Sequence, residues 1–151
     1  MAGLRLHDVS MLYLGEAATR VLVIDDDASV SAAIRAILAW HQYETVVASR
    51  AHAGIHEFRT GKFDVVMIDL FMPGMNGLDT IARIRSESAV SIVAMTGFSL
   101  RYSLDADQDF LGMAKRRGAT TSLRKPFSSL QLISAIDRSM ALISCNAWSI
   151  Q

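Results

Sequence analysis

The sequence contains one cysteine, Cys145, so no disulfide can form within the chain, and a reducing, cytoplasmic setting is expected. Its 15 basic and 15 acidic residues cancel. That balance offers neither a basic footprint for nucleic acid nor an acidic disordered tail, so no nucleic-acid partner is expected. No apolar stretch approaches the roughly 20 residues of a membrane span. Arg5, His7, Asp8 and Glu16 interrupt the amino terminus where a secretory signal needs a continuous apolar core. Internal repeats and low-complexity segments are also missing. What remains is a chain of 151 residues, half of them hydrophobic, enough for one substantial core and too short for two ordinary domains.

The most informative stretch runs from Phe63 to Gly77. Val65, Val66, Met67 and Ile68 form a short apolar run that ends at Asp69 and is followed by Pro73, Gly74 and Gly77. Such a run reads as a strand buried on both faces of a parallel sheet. Its last residue then lies at the carboxyl edge, where open α/β sheets bind ligands. A helix-cap or turn aspartate fits the same local pattern.

Arg20 to Ile24 is a second β-branched run, ending in Asp25, Asp26 and Asp27. Helical spacing follows over Ser29 to Trp40. A short strand over Thr45 to Ala48 precedes a helix over His52 to Arg59, stopped by Gly61. After Asp69, a helix over Gly77 to Arg85 leads to a strand over Ser91 to Met95 that ends at Thr96 and Gly97. Phe98 to Gln108 shows no clear period; a helix is expected from near Asp105 to Arg117, closed by Gly118. Thr121 to Arg124 gives a fifth strand before Lys125, Pro126 and Phe127. Ser128 and Ser129 then open a last helix reaching about Ile143. Five strands alternating with five helices imply a parallel sheet covered on both faces.

In a parallel sheet, Asp25 with Asp26, Asp69, Thr96 and Lys125 all emerge at one edge. Clustered carboxylates raise one another's pKa unless a cation sits among them. Hard oxygen ligands with open positions suit Mg²⁺, which keeps waters that a phosphoryl oxygen can displace. A lysine and a hydroxyl are the further groups that a transferring phosphoryl needs.

The motifs Val-Leu-Val-Ile-Asp-Asp-Asp, Met-Ile-Asp-Leu-Phe-Met-Pro-Gly-Met-Asn-Gly, Ala-Met-Thr-Gly and Lys-Pro-Phe, in this order, resemble the response-regulator receiver domain of two-component signalling, in its chemotaxis-type single-domain form. The resemblance covers about residues 19–144. It implies a flavodoxin-like, doubly wound sheet in the order 2-1-3-4-5. It further implies that Asp69 is the phosphoryl acceptor, and that Asp25, Asp26, Asp69 and the backbone carbonyl of Phe71 hold Mg²⁺. By the same resemblance Thr96 moves toward the phosphoryl group, Lys125 pairs with Asp69 and then with phosphate, and the Lys125-Pro126 bond is cis. The donor would be a histidine kinase or a histidine phosphotransfer protein.

Three positions depart from the family's habit. Ser122 stands where an inward-turning tyrosine or phenylalanine is usual. The stretch from Thr96 to Lys125 is longer than in compact receivers. Phe71 and Phe98 flank the expected phosphoryl group and could exclude water from it.

The expected organisation is an extension over residues 1–19, a receiver over 20–144 and a tail over 145–151, with no separate output domain. Signalling would then pass through docking of an unknown downstream protein on the face from the fourth to the fifth helix, and the chain would not be an enzyme in the ordinary sense. One rival is a phosphorylation-independent interaction module on the same fold. Another is an aspartate-nucleophile phosphatase in which Asp25 attacks and Asp27 is the acid, although Asp69 then has no role. Asp27 is otherwise expected to cap the first helix, His52 and His56 to face solvent, and Cys145 to be inert.

Overall fold

The computed structural model describes residues 17–97 and 104–148. Five strands form one parallel sheet: β1 (Arg20–Ile24), β2 (Glu44–Ala48), β3 (Val65–Asp69), β4 (Ser91–Thr96) and β5 (Thr121–Arg124). Their spatial order is β2-β1-β3-β4-β5, the flavodoxin-like arrangement expected. Five helices connect and follow them: α1 (Ala28–Trp40), α2 (Ala51–Thr60), α3 (Gly77–Glu87), α4 (Leu104–Arg117) and α5 (Ser129–Trp148).

Because side chains alternate along a strand, each strand feeds two cores. Leu22, Ile24, Val66, Ile68, Ile92 and Ala94 pack with Ile55 of α2, Ile81 and Ile84 of α3 and Ala114 of α4. Val21, Val23, Val65, Met67, Val93 and Met95 pack with Ile34 and Leu38 of α1 and Leu132 and Ile136 of α5. The central strands β1 and β3 are thus covered twice, which is why they read as continuous apolar runs.

Local chemistry sets the helix ends. The Asp27 carboxylate accepts from the Ser29 and Val30 amides (2.9 and 3.1 Å), so Asp27 is the N-cap of α1. Asn76 caps α3 in the same way through the Asp79 amide, 2.9 Å away. Gly118, with φ of +115°, closes α4.

Two boundaries differ from the sequence reading. β4 takes in Thr96, which pairs with Arg124. The last helix does not stop near Ile143 but continues through Trp148, so positions 145–148 are helical rather than tail. No glycine or proline follows Ile143 to break it, and the Ser144 hydroxyl donates back to the Met140 carbonyl at 3.1 Å.

Gly77 opens α3 directly under β3. A Cβ there would lie 2.2 Å from the Asp69 carbonyl oxygen and 2.5 Å from the Leu70 Cα. These are backbone atoms and cannot rotate away. Gly77→Ala is therefore expected to cost at least about 2 kcal/mol of unfolding free energy in urea melts. Gly112→Ala, whose nearest contact is the mobile end of Arg116 at 3.4 Å, is expected to add roughly 0.5–1 kcal/mol. Equal effects at the two positions would contradict this packing.

Candidate functional site

Ile24 of β1 lies beside Ile68 of β3 in the middle of the sheet. The next residues, Asp25 and Asp69, therefore emerge together at the carboxyl edge. This is where the strand order reverses, the place at which open α/β sheets form their crevice. Both carboxylates are buried, at 1 % and 5 % exposure, whereas Asp26 next to them is exposed. Carboxylate oxygens of Asp25, Asp26 and Asp69 lie within 4.8 Å of one another.

Lys125 reaches the same place from the end of β5. Its amide donates to the Thr96 carbonyl at 2.7 Å, and the peptide bond to Pro126 is cis, as expected. The ammonium sits 2.6 Å from Asp25 Oδ2 and 3.7 Å from Asp69 Oδ2. Lys125 is thus nearer to Asp25 than to Asp69, the partner the resemblance implied. Asp25 is the more deeply buried carboxylate, and its Oδ1 already accepts from the Asp27 amide at 2.9 Å. Its second oxygen needs a charge partner more acutely.

Asp69 Oδ1 accepts from the Phe71 amide at 3.2 Å. The Leu70 amide donates to the Met95 carbonyl at 2.9 Å, and the Leu70 carbonyl accepts from Gly77 at 3.2 Å. The acceptor strand is therefore tied to β4 and α3 right at its tip. Burial pushes the Asp69 carboxyl up from 3.8 to about 6. The positive charge of Lys125 pulls against this rise, Asp25 adds to it, the Phe71 amide opposes it, and Asp26 adds a little.

Thr96 is fully buried, and its hydroxyl has no hydrogen-bond partner among the described residues. An unpaired buried hydroxyl costs free energy and is a donor in waiting. The donor set also fits a hard divalent cation: three carboxylates, two buried and one open to solvent, within the reach of a single ion. Among the described residues no other group of acidic, histidine or cysteine side chains is so placed. His52 and His56 are exposed on α2 and belong to no such group.

The remaining expected positions fall as follows. Ser122 is exposed in β5, opposite Ala94, so no aromatic side chain fills that place. Phe71 is half-buried and meets Phe110 of α4 edge-on, with ring centroids 4.9 Å apart and planes at 79°. Phe98 lies outside the described residues. Cys145 is exposed on α5. Phe110 was not singled out by sequence reasoning, because the stretch before it shows no helical period to place its ring.

The sequence matches the family described as response regulator receiver domain over residues 21–137. The chain belongs to the response-regulator receiver family. Among curated relatives it is 32 % identical over 117 residues to the DNA-binding response regulator MtrA of Mycolicibacterium paratuberculosis, covering 78 % of this chain and 49 % of that protein. This receiver therefore spans about half the length of the curated relatives it matches. Among solved structures it resembles a response regulator receiver domain protein from Clostridium thermocellum, with a TM-score of 0.74 and 27 % identity over 85 % of this chain and 98 % of that one. It also resembles the chemotaxis protein CheY4 of Vibrio cholerae, with a TM-score of 0.71 and 26 % identity over 82 % of this chain and 99 % of that one. The MtrA relatives are named as DNA-binding, so the expectation of no nucleic-acid partner gains no support from them. No described helix is long and apolar enough to cross a membrane.

The raised pKa of Asp69 links the site to stability. Asp69 binds its proton more tightly folded than unfolded, so its contribution is fully present below about pH 3.8 and is lost as pH rises through about 6. In metal-free buffer at pH 7, Asp69→Asn is expected to be more stable than the parent by on the order of 1–3 kcal/mol, with the gap closing toward pH 4. Urea melts of both proteins from pH 4 to 7.5 check this. A gap independent of pH would contradict the burial of the ionised carboxylate.

Proposed function

We propose that Asp69 accepts a phosphoryl group from the phosphohistidine of a histidine kinase or phosphotransfer protein, and that the resulting change is read by a docking partner. The observation that carries this reading is the meeting of Asp25, Asp26, Asp69, Thr96 and Lys125 at one sheet edge. A carboxylate oxygen of Asp69 attacks phosphorus as the bond from phosphorus to the donor's imidazole nitrogen breaks, leaving an acyl phosphate on Asp69 and a neutral imidazole on the donor once it is protonated. Lys125 is close enough to follow the new negative charge from Asp25 and Asp69 onto a phosphoryl oxygen. The unpartnered Thr96 hydroxyl donates to another.

Asp25, Asp26, Asp69 and the Phe71 carbonyl would hold Mg²⁺, which supplies the positive charge that phosphoryl oxygens need. An apolar groove beside Lys125, lined by Val30 and Ala33 of α1 and by Gly97, Pro126 and Phe127, offers the phosphodonor protein a surface next to the acceptor. Phosphorylation adds about −1.5 to −2 charge at Asp69, and the face from α4 to α5 carries the response to a downstream protein. A phosphohistidine donor and Mg²⁺ place this exchange in the cytoplasm. The phosphatase reading leaves Asp69 unused, and its proposed acid, Asp27, is engaged as the cap of α1.

Intact-protein mass after incubation with Mg²⁺ and acetyl phosphate tests the proposal. One added phosphoryl group is expected, absent in Asp69→Asn and absent with chelator. No adduct from acetyl phosphate or any histidine-phosphorylated donor, with the fold intact by circular dichroism, would favour the phosphorylation-independent module.

The half-buried Phe71 ring beside the acceptor limits the approach of water. Phe71→Asn is expected to lose its phosphoryl group several-fold faster than the parent, followed by mass after donor removal. Equal lifetimes would show that this ring does not shield the acyl phosphate.

A further inference from the structure

Asp69 and Leu70 are fixed by the sheet and by α3, through the bonds to Met95 and Gly77 already described. Phe71 is the first residue beyond that support. Its amide donates to Asp69 Oδ1, yet the loop that follows, through Pro73 and the left-handed Gly74 (φ +82°), is exposed at its tip. What anchors Phe71 is its side chain, which packs on the core between the sheet and α2, α3 and α4. There it meets the Phe110 ring edge-on at 4.9 Å. Phe110 belongs to α4, an element that contributes none of the carboxylates, the hydroxyl or the ammonium of the site.

We propose that Phe110 is a positioning residue for phosphoryl transfer: by holding the Phe71 ring edge-on, it sets the Phe71 backbone whose amide orients Asp69 and whose carbonyl completes the cation's protein ligands. This rests on the receiver reading above. The geometry gives it two consequences. Aromatic rings prefer such a perpendicular contact, so a shift of the Phe71 backbone carries a cost at Phe110. Coupling of this kind is reciprocal, so filling the cation and phosphoryl sites biases the placement of α4, and a partner that moves α4 alters the cation affinity by the same factor. With a small, exposed serine at position 122, this ring pair gives α4 a direct aromatic link to the acceptor loop.

The test measures Mg²⁺ affinity by calorimetry and the Phe71 amide resonance by NMR in the parent, Phe110→Leu, Phe110→Tyr and Leu111→Ala. Leu111 is the half-buried neighbour on α4 and controls for simple loosening of the helix. Phe110→Leu is expected to weaken Mg²⁺ binding roughly three- to tenfold and to shift the Phe71 amide. Phe110→Tyr, which keeps the ring, should restore both, and Leu111→Ala should leave both near the parent. In a Phe71→Leu background, Phe110→Leu should add no further loss, because its effect runs through that ring.

Parent-like affinity and an unmoved Phe71 amide in a folded Phe110→Leu protein would overturn the proposal, as would an equal loss in Leu111→Ala or an additive double variant. Should Phe110→Leu fail to fold, Phe110→Met takes its place under the same criteria. A parent that neither binds Mg²⁺ nor takes a phosphoryl group overturns the receiver reading and the proposal together. A parent that does both, with an unaffected Phe110 variant, overturns the proposal alone.

Discussion

Three carboxylates whose oxygens lie within 4.8 Å repel one another, and two of them are buried. Lys125 is the counter-charge that lets them coexist, bridging Asp25 at 2.6 Å and Asp69 at 3.7 Å. Everything around the site serves to hold that arrangement. β1 and β3 are covered on both faces and cannot swing apart to relieve the repulsion. The Leu70 amide and carbonyl tie the tip of β3 to β4 and to α3, and the Lys125 amide ties the lysine's backbone to Thr96. Burial still holds the Asp69 proton on to about pH 6, so the metal-free site is electrostatically frustrated. A divalent cation and a phosphoryl group, with opposite charges, relieve that frustration together.

The same framework connects the site to its surroundings. Arg85 at the end of α3 donates to the Gly118 carbonyl at 3.0 and 2.8 Å and to the Ser88 carbonyl at 3.0 Å. It thereby fastens the closing turn of α4 to the foot of α3. Nearer the site, α4 meets the acceptor loop through Phe110 and Phe71. One end of α4 is held by hydrogen bonds and the other by a ring contact one residue from Leu70. Burial and hydrogen bonding make the first attachment firm, while the second depends on a loop that must accommodate the cation.

Much of this was legible in the sequence because it follows from period. The apolar runs ending in Asp25 and Asp69, and the helical spacing of Val30, Ile34 and Leu38, determine which faces are buried, and the strand order follows from the motifs' resemblance. Asp27 was readable as a cap because its position before Ser29 and Val30 leaves those amides otherwise unpaired. Other features depend on tertiary distance and leave no local trace. The preference of Lys125 for Asp25 over Asp69 is decided by relative burial and by which oxygens are already bonded. The role of Arg85 needs Gly118, 33 residues later in the chain. Phe110 sits at the end of a stretch without a clear period, so its ring could not be aimed from sequence. The helix end at Trp148 was misjudged because the fading apolar stripe after Ile143 was read as a stop, when only a glycine or proline would have supplied one.

The central claim is that Asp69, among three neighbouring carboxylates, is the nucleophile. Borohydride reduction of the phosphorylated protein converts an acyl phosphate to the corresponding alcohol, and peptide mapping then locates the residue that carried it. The account predicts aspartate converted to homoserine at position 69 and nowhere else. Conversion at position 25 or 26, or a stable phosphoryl group on a hydroxyl residue that borohydride leaves untouched, would contradict it.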